Sequence, residues 1–326
     1  MSIDDLTFIK QIGGGAFSKV FLTSKKNENK YYATKIIDKS EYLKNVKANE
    51  FLLNEINILK DVNHSNILKI FEIRKTSEKV YFITEYYNGG TLTNFLEEYQ
   101  QIKHKPLSEE IVQYIIGQII DAIKYLHNKK IIHRDIYLDN IMINYEDEED
   151  RINNNIMKAK IKIIDFGYAT YLKKGALEST VLGHPLTMDP FISFKFNCIE
   201  KYKDYKYDEK SDIWSLGTIF YELLIGNSPF EAENMGEFLE KVKKGDYYVP
   251  TTISKEAISF LNCMLQLDPK KRLSIDILYN HEFLRKNINE FTKMDNITND
   301  KTIKINIKND PAQLFSNLSK AKSSSK

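Results

Sequence analysis

Residues 213–225, Ile-Trp-Ser-Leu-Gly-Thr-Ile-Phe-Tyr-Glu-Leu-Leu-Ile, are apolar on nearly every face of a helix. A helix of that kind has no polar side to turn to water, so it must run through a core. Ser211 is placed to cap its start, and Gly226 with Pro229 to end it. The chain has the means to surround it: 326 residues with 42% hydrophobic content make one large domain or two lobes. A second long amphipathic helix follows Ser108, with its stripe at Ile111, Ile115, Ile119 and Ile123 and its end near Leu126 and His127.

Charge excludes some functions. Forty-seven Lys and Arg against 45 Asp and Glu leave +2, which gives no general electrostatic pull toward nucleic acid or an anionic membrane. The two cysteines, Cys198 and Cys263, lack CxxC spacing, so neither a zinc site nor a disulfide framework is expected. The start, Met1-Ser2-Ile3-Asp4-Asp5, has no signal-peptide pattern and no second-position glycine for myristoylation. No apolar run reaches membrane-spanning length. The expected setting is cytoplasmic, with the nucleus also compatible.

The chemistry is concentrated in Ile131-Ile132-His133-Arg134-Asp135-Ile136-Tyr137-Leu138-Asp139-Asn140-Ile141-Met142-Ile143. Paired apolar residues sink both ends into a core, which pins the charged middle on a rigid frame where a base can work. Earlier, Gly13-Gly14-Gly15-Ala16-Phe17-Ser18-Lys19-Val20 sits between two alternating runs and reads as strand, glycine-rich turn, strand. Adjacent glycines let backbone amides approach a phosphate closely, although a plain hairpin turn uses them equally well. On the next strand Ala33, Lys35 and Ile37 share one face. On the helix after it, Leu52, Glu55, Ile56 and Leu59 form an inward stripe, where a lone carboxylate is costly. Lys35 is its available partner, against the ordinary alternative of a solvated Glu and a snorkelling Lys.

His133-Arg134-Asp135 with Asn140 five residues after Asp135, then Asp165-Phe166-Gly167, then Asp212-Ile213-Trp214-Ser215-Leu216-Gly217 and Leu267-Asp268-Pro269-Lys270-Lys271-Arg272, resemble the successive motifs of eukaryotic protein kinases of the Ser/Thr type. The likeness covers roughly residues 8 to 284, in the family's order. It implies an α+β fold of two lobes. Residues 1–87 would form a small β-rich lobe with one main helix, plus the hinge, and 88–285 a larger helical lobe with an acidic insertion near 145–158. Residues 286–326, Asn- and Lys-rich, are expected to be a loosely ordered tail. Glu146-Asp147-Glu148-Glu149-Asp150 and the tail read as solvated segments, with partner docking as the sharper alternative.

The resemblance also assigns roles. Asp135 would receive the substrate hydroxyl proton, Asn140 and Asp165 would hold Mg2+, and the Lys35–Glu55 pair would orient the phosphates of ATP. Ile12, Gly13, Gly15 and Val20 would cover the nucleotide. Ala33 and Met142 would sandwich adenine with Val20, Thr84 would be a small gatekeeper, and the backbones of Glu85 and Tyr87 would bond adenine. Arg134 would pair with a phosphate on Thr180 and so order the activation segment. Asp139 and Glu222 stand where relatives that favour basic substrates hold a substrate Arg.

Several positions depart from the family pattern. Ser18 replaces the third loop glycine, and Thr91 stands where many relatives carry a ribose-binding acid. Tyr137 replaces a lysine that touches the transferred phosphate, and His184 a Thr or Ser. Asp189-Pro190-Phe191 replaces Ala-Pro-Glu, so Arg272 loses its expected carboxylate, with Asp189 or another acid as a possible substitute. The expected function is transfer of the ATP γ-phosphoryl group to Ser or Thr of protein substrates. The alternatives are a pseudokinase scaffold, suggested by Tyr137, His184 and Phe191, and a small-molecule kinase. Details around Gly167 and Leu182 look most like the autophagy-initiating and calcium/calmodulin-type branches.

Overall fold

The computed structural model describes residues 3–15, 18–40, 46–172, 187–196, 207–285 and 302–306. Alternating apolar and polar residues make five early strands: β1 (Leu6–Gly15), β2 (Ser18–Lys25), β3 (Tyr31–Asp38), β4 (Ile70–Lys75) and β5 (Lys79–Glu85). They form one antiparallel sheet in the order β1-β2-β3-β5-β4. The register sets Ala33 between Leu22 and Thr84, and Lys35 between Val20 and Phe82. Helix α1 (Val46–Asp61) buries the expected stripe, Leu52, Glu55, Ile56 and Leu59, and Ile58 beside it.

Later residues complete this unit. β7 (Ile141–Asn144) pairs with β8 (Lys160–Ile163), and β8 is bonded to the turn before β4. Leu68 N–H donates to Ile163 O, and Ile163 N–H to Asn66 O, both at 2.8 Å. Contacts therefore place residues 142–170 with residues 1–90, although sequence order sets them within the second lobe. The acidic stretch is not a plain loop: α4 (Glu148–Ile152) forms there, capped by Asp147 accepting from Glu149 N–H at 2.8 Å. Three acids in its first turn suit the positive end of a helix, and no residue of α4 is buried.

The second unit comprises Thr91–Ile141 and Tyr171–Lys326. Thr91 and Asn94 form a capping box for α2 (Leu92–Lys103), and Ser108 caps α3 (Glu109–Asn128). In α3, Ile115, Ile119 and Ile123 are fully buried, together with Val112, Ile116 and Ile120. Between β6 (Ile131–Ile132) and β7 lies the charged loop; β9 (Thr170–Tyr171) ends the first unit and begins the second. After α5 (Pro190–Phe196) comes α6 (Glu209–Ile225), the helix apolar all round. Its Ile213, Trp214, Leu216, Ile219, Phe220 and Leu223 are completely excluded from solvent. It begins one turn before the expected start, because Asp208 rather than Ser211 caps it, accepting from Lys210 N–H at 2.9 Å. Gly226 ends it at φ 97°, a left-handed conformation that suits glycine.

α7 (Met235–Lys244), β10 (Asp246–Pro250) and α8 (Lys255–Met264) follow, then short helices at Ile275–Tyr279 and Glu282–Arg285. The expectation of a loosely ordered tail needs correction at one place. Thr302–Asn306 forms β11 and pairs antiparallel with β10, with Ile305 fully buried opposite Tyr247. Thr-Ile-Lys-Ile-Asn has the period-two pattern of a half-buried strand, hidden by the polar composition around it.

Candidate active site

The first unit carries a cluster of one cation and two acids. Lys35 Nζ lies 2.8 Å from Glu55 Oε1 and 3.6 Å from Asp165 Oδ1. β3 points Lys35 off the sheet and α1 presents Glu55, whose side chain is only 6% exposed, whereas the Asp165 side chain is 46% exposed. Asp165 sits at φ 57° with Oδ1 accepting from Gly167 N–H at 3.1 Å. A non-glycine residue in that region stores strain, which the surroundings must hold. α1 supplies part of that hold: Phe51 meets the Tyr168 ring edge-on at 6.2 Å, and Asn54 donates to Ala169 O. Phe166 is fully buried.

Around this cluster the remaining nucleotide candidates take their places. Gly13, Gly14 and Gly15 pair with Val20, Lys19 and Ser18; a Cβ on Gly14 would come within 2.9 Å of Ser18 O, so a side chain there forces the hairpin open. Ile12 is 39% exposed; Val20, Ala33 and Met142 are half-buried. The Thr84 hydroxyl donates to Ala33 O at 3.0 Å, which satisfies this buried side chain. Glu85 N–H donates to Lys69 O at 2.9 Å, so the group Glu85 has to offer a base is its carbonyl. Its side chain meets buried Lys162 at 3.2 Å, and Lys162 also lies 5.4 Å from the Tyr87 ring. The Tyr87 hydroxyl accepts from Lys69 N–H at 3.2 Å, and burial pushes its phenol up.

The charged loop belongs to the second unit and is braced from α6. Asp212, fully buried, accepts from His133 N–H at 3.0 Å, Arg134 N–H at 2.9 Å and His127 Nε2 at 2.9 Å. Burial pushes its carboxyl up, but His127 and the backbone N–H donors outweigh that and hold it below the usual carboxylate range. Arg134 takes φ 68° and is buried, 5.4 Å from the Tyr207 ring. Asp135 Oδ2 accepts from Asn140 Nδ2 at 2.9 Å, and Asp135 O accepts from it at 3.0 Å. With its amide nitrogen so used, Asn140 has its carbonyl oxygen left to bind a metal. Tyr137, half-buried, leads into a 3-10 turn, Leu138–Asn140.

Arg272 has its acid after all. It pairs with Asp189, and both side chains are completely excluded from solvent. Arg272 Nε donates to Gln266 O and Nη1 to Lys210 O, both at 2.8 Å, and the guanidinium lies 5.1 Å from the Trp214 ring. Asp189 Oδ1 also accepts from Phe191 N–H at 2.8 Å at the start of α5. The expected missing carboxylate is thus replaced from two positions upstream.

Comparison with known proteins decides what these parts belong to. The family model described as protein kinase domain matches residues 6–284. The chain belongs to the protein kinase family. It is 30% identical over 295 residues to the serine/threonine-protein kinase atg1 of Dictyostelium discoideum, across 89% of this chain and 41% of that protein. The chain therefore matches less than half the length of that relative.

The Lys35–Glu55 ion pair expected from the sequence is present, whereas Asp165 beside it and the Asp135–Asn140 hydrogen bond are contacts that the sequence reading does not anticipate. That reading also missed Lys162, whose signal was a lysine on a strand buried between isoleucines, and the α1 contacts through Phe51 and Asn54. Thr180 and His184 lie outside the described residues. Asp139 is exposed and Glu222 partly buried; burial, and then the charge of Asp139, push the Glu222 carboxyl up to about 7. No described helix is long and apolar enough to cross a membrane.

Proposed function

We propose that this kinase transfers the γ-phosphoryl group of Mg-ATP to serine and threonine hydroxyls of protein substrates. The observation that carries the reading is the Lys35 ammonium held between Glu55 and Asp165, a charge arrangement suited to phosphates and a metal. The donor set fits the family's magnesium: Asp165 offers a partly exposed carboxylate and Asn140 an amide carbonyl, both hard oxygen ligands. Bound magnesium would neutralise charge developing on the phosphates.

The chain's own residues do the rest. Lys35 orients the phosphates, the glycine hairpin covers them, and Glu85 O with Tyr87 N–H receive adenine. Asp135, fixed by Asn140 and the Asp212-braced loop, points the substrate hydroxyl at the γ-phosphorus and takes its proton. The new O–P bond forms as the bond to the ADP oxygen breaks, and ADP leaves. Most of the rate comes from positioning and charge rather than covalent chemistry. Asp139 and the partly buried Glu222 carboxyl suit a substrate with a basic side chain. Arg134 receives a phosphate on Thr180 in the active form, and the kinase acts in the cytoplasm or nucleus.

Tyr137 favours a second reading, a nucleotide-binding scaffold, because a phenol carries no positive charge where relatives hold a lysine. Phosphoamino-acid analysis of the kinase and of basic proteins after incubation with γ-labelled Mg-ATP tests the proposal. Label on Ser or Thr supports it; label on a small metabolite alone, or on no acceptor, contradicts it.

A further inference from the structure

β10 is built by contacts that β11 does not supply. Tyr247 is 1% exposed, its hydroxyl donates to Asn262 Oδ1 of α8 at 3.2 Å, and its ring meets Tyr221 and Phe230 edge-on at 5.6 and 6.2 Å. Tyr221 of α6 donates its hydroxyl hydrogen to Tyr248 O at 2.7 Å, and Val249 is fully buried. Five residues are thereby fixed in extended form, with an edge of backbone N–H and C=O groups that a further strand can pair.

β11 brings little structure of its own. It is five residues long, and residues 286–301 separate it in sequence from the helix Glu282–Arg285. Two-stranded ribbons are marginal in water, so its place depends on the ladder with β10 and on Ile305, fully buried opposite Tyr247.

We propose that the edge of β10 is a docking site for an extended peptide bearing a branched apolar residue opposite Tyr247, and that Thr302–Asn306 is its tethered ligand in this chain. The mode is strand addition: the backbone ladder supplies affinity, and the buried position opposite Tyr247 selects the side chain. A charge at that position would be buried without a partner, which excludes it. Because the resident strand belongs to the same chain, its pairing is intramolecular, and a peptide added in trans gains access only when the resident strand is weakened.

The test uses the full chain and two variants, Ile305→Asp, which removes the apolar anchor, and Lys304→Pro, which breaks the ladder without burying a charge. Amide exchange is followed across β10 and α8, and binding of a labelled peptide spanning residues 299–309 is followed by fluorescence anisotropy. The expected result is β10 exchange at least about tenfold faster in both variants, with α8 protection unchanged. The peptide is expected to bind both variants at least about tenfold more tightly than the intact chain and to restore β10 protection. The same peptide carrying Ile305→Asp is expected not to bind. β10 exchange equal in all three chains, or no peptide binding to either variant, would overturn the proposal. Neither readout involves phosphoryl transfer, so this inference stands or fails apart from the proposed activity.

Discussion

Arg272 and Asp189 form a solvent-excluded ion pair in which the acid stands before Pro190, where the family pattern sets it after. Phe191 fills the position left by the family's glutamate, 6.3 Å from Phe194 between ring centroids. The swap keeps the guanidinium neutralised while three carbonyls, Gln266, Lys210 and Leu267, each accept one more of its five hydrogens. Removing one partner of such a pair strands a buried charge. Asp189→Ala is therefore expected to lower unfolding free energy by about 3–5 kcal/mol in urea denaturation, with the Asp189→Ala/Arg272→Ala double variant losing less than the sum. A loss under about 1 kcal/mol for Asp189→Ala would mean that the carbonyls alone hold the arginine.

Under the proposed transfer reaction, Tyr137 is expected to limit the rate. One missing preorganised charge at a transferring phosphoryl group costs roughly 10²–10³ in turnover, and the phenol recovers part of it. Tyr137→Lys is expected to raise kcat by about tenfold or more at unchanged ATP affinity, measured under saturating Mg-ATP. An unchanged or lower kcat would show that the loop is shaped around the phenol.

If Glu222 holds a basic substrate side chain as proposed, substrate binding depends on pH. Its carboxyl titrates at about 7 because burial, then Asp139, disfavour its charge, so it is neutral below that pH and charged above. KM for a basic peptide is expected to rise as pH falls from 8 to 6, and Glu222→Gln to flatten that change. Stability runs the other way. The folded value lies above the ordinary 4.5, so the associated stability is complete below about 4.5 and lost as pH rises through about 7. Glu222→Gln should accordingly gain stability over the native chain more at pH 8 than at pH 4. Identical pH profiles for the two chains would remove Glu222 from substrate binding.

Lys162 pairs with Glu85 in the segment proposed to receive adenine. Its ammonium, 3.2 Å from Glu85, neutralises a carboxylate on the last residue of β5. Lys162→Met is expected to raise KM for ATP several-fold with kcat nearly kept, the signature of lost ground-state binding. A fall in kcat at constant KM would place the lysine in the transfer step instead.

What the sequence disclosed, and what it hid, follows the range of the interactions. The stripe of Leu52, Glu55, Ile56 and Leu59 and the all-round apolar α6 are local patterns, and both lie buried as their periodicity requires. Asp135 and Asn140 are five residues apart and meet through one turn of loop. The Arg272–Asp189 pair joins residues 83 positions apart, so no local pattern chooses Asp189 over other acids. β11 was hidden because five alternating residues within an Asn- and Lys-rich tail have too little apolar content to stand out. Asp208 and Ser211 are both good caps for α6, and only the fold chooses Asp208.

The most direct measurement is phosphate transfer from γ-labelled Mg-ATP by the native chain and by Asp135→Asn, with nucleotide binding measured for both. The account predicts transfer to protein Ser or Thr by the native chain, a fall of about 10²–10⁴ in the variant, and similar Mg-ATP affinity in each. Equal nucleotide binding with no transfer by either chain, after phosphorylation of the activation segment by an added kinase, would contradict it and leave a nucleotide-binding scaffold.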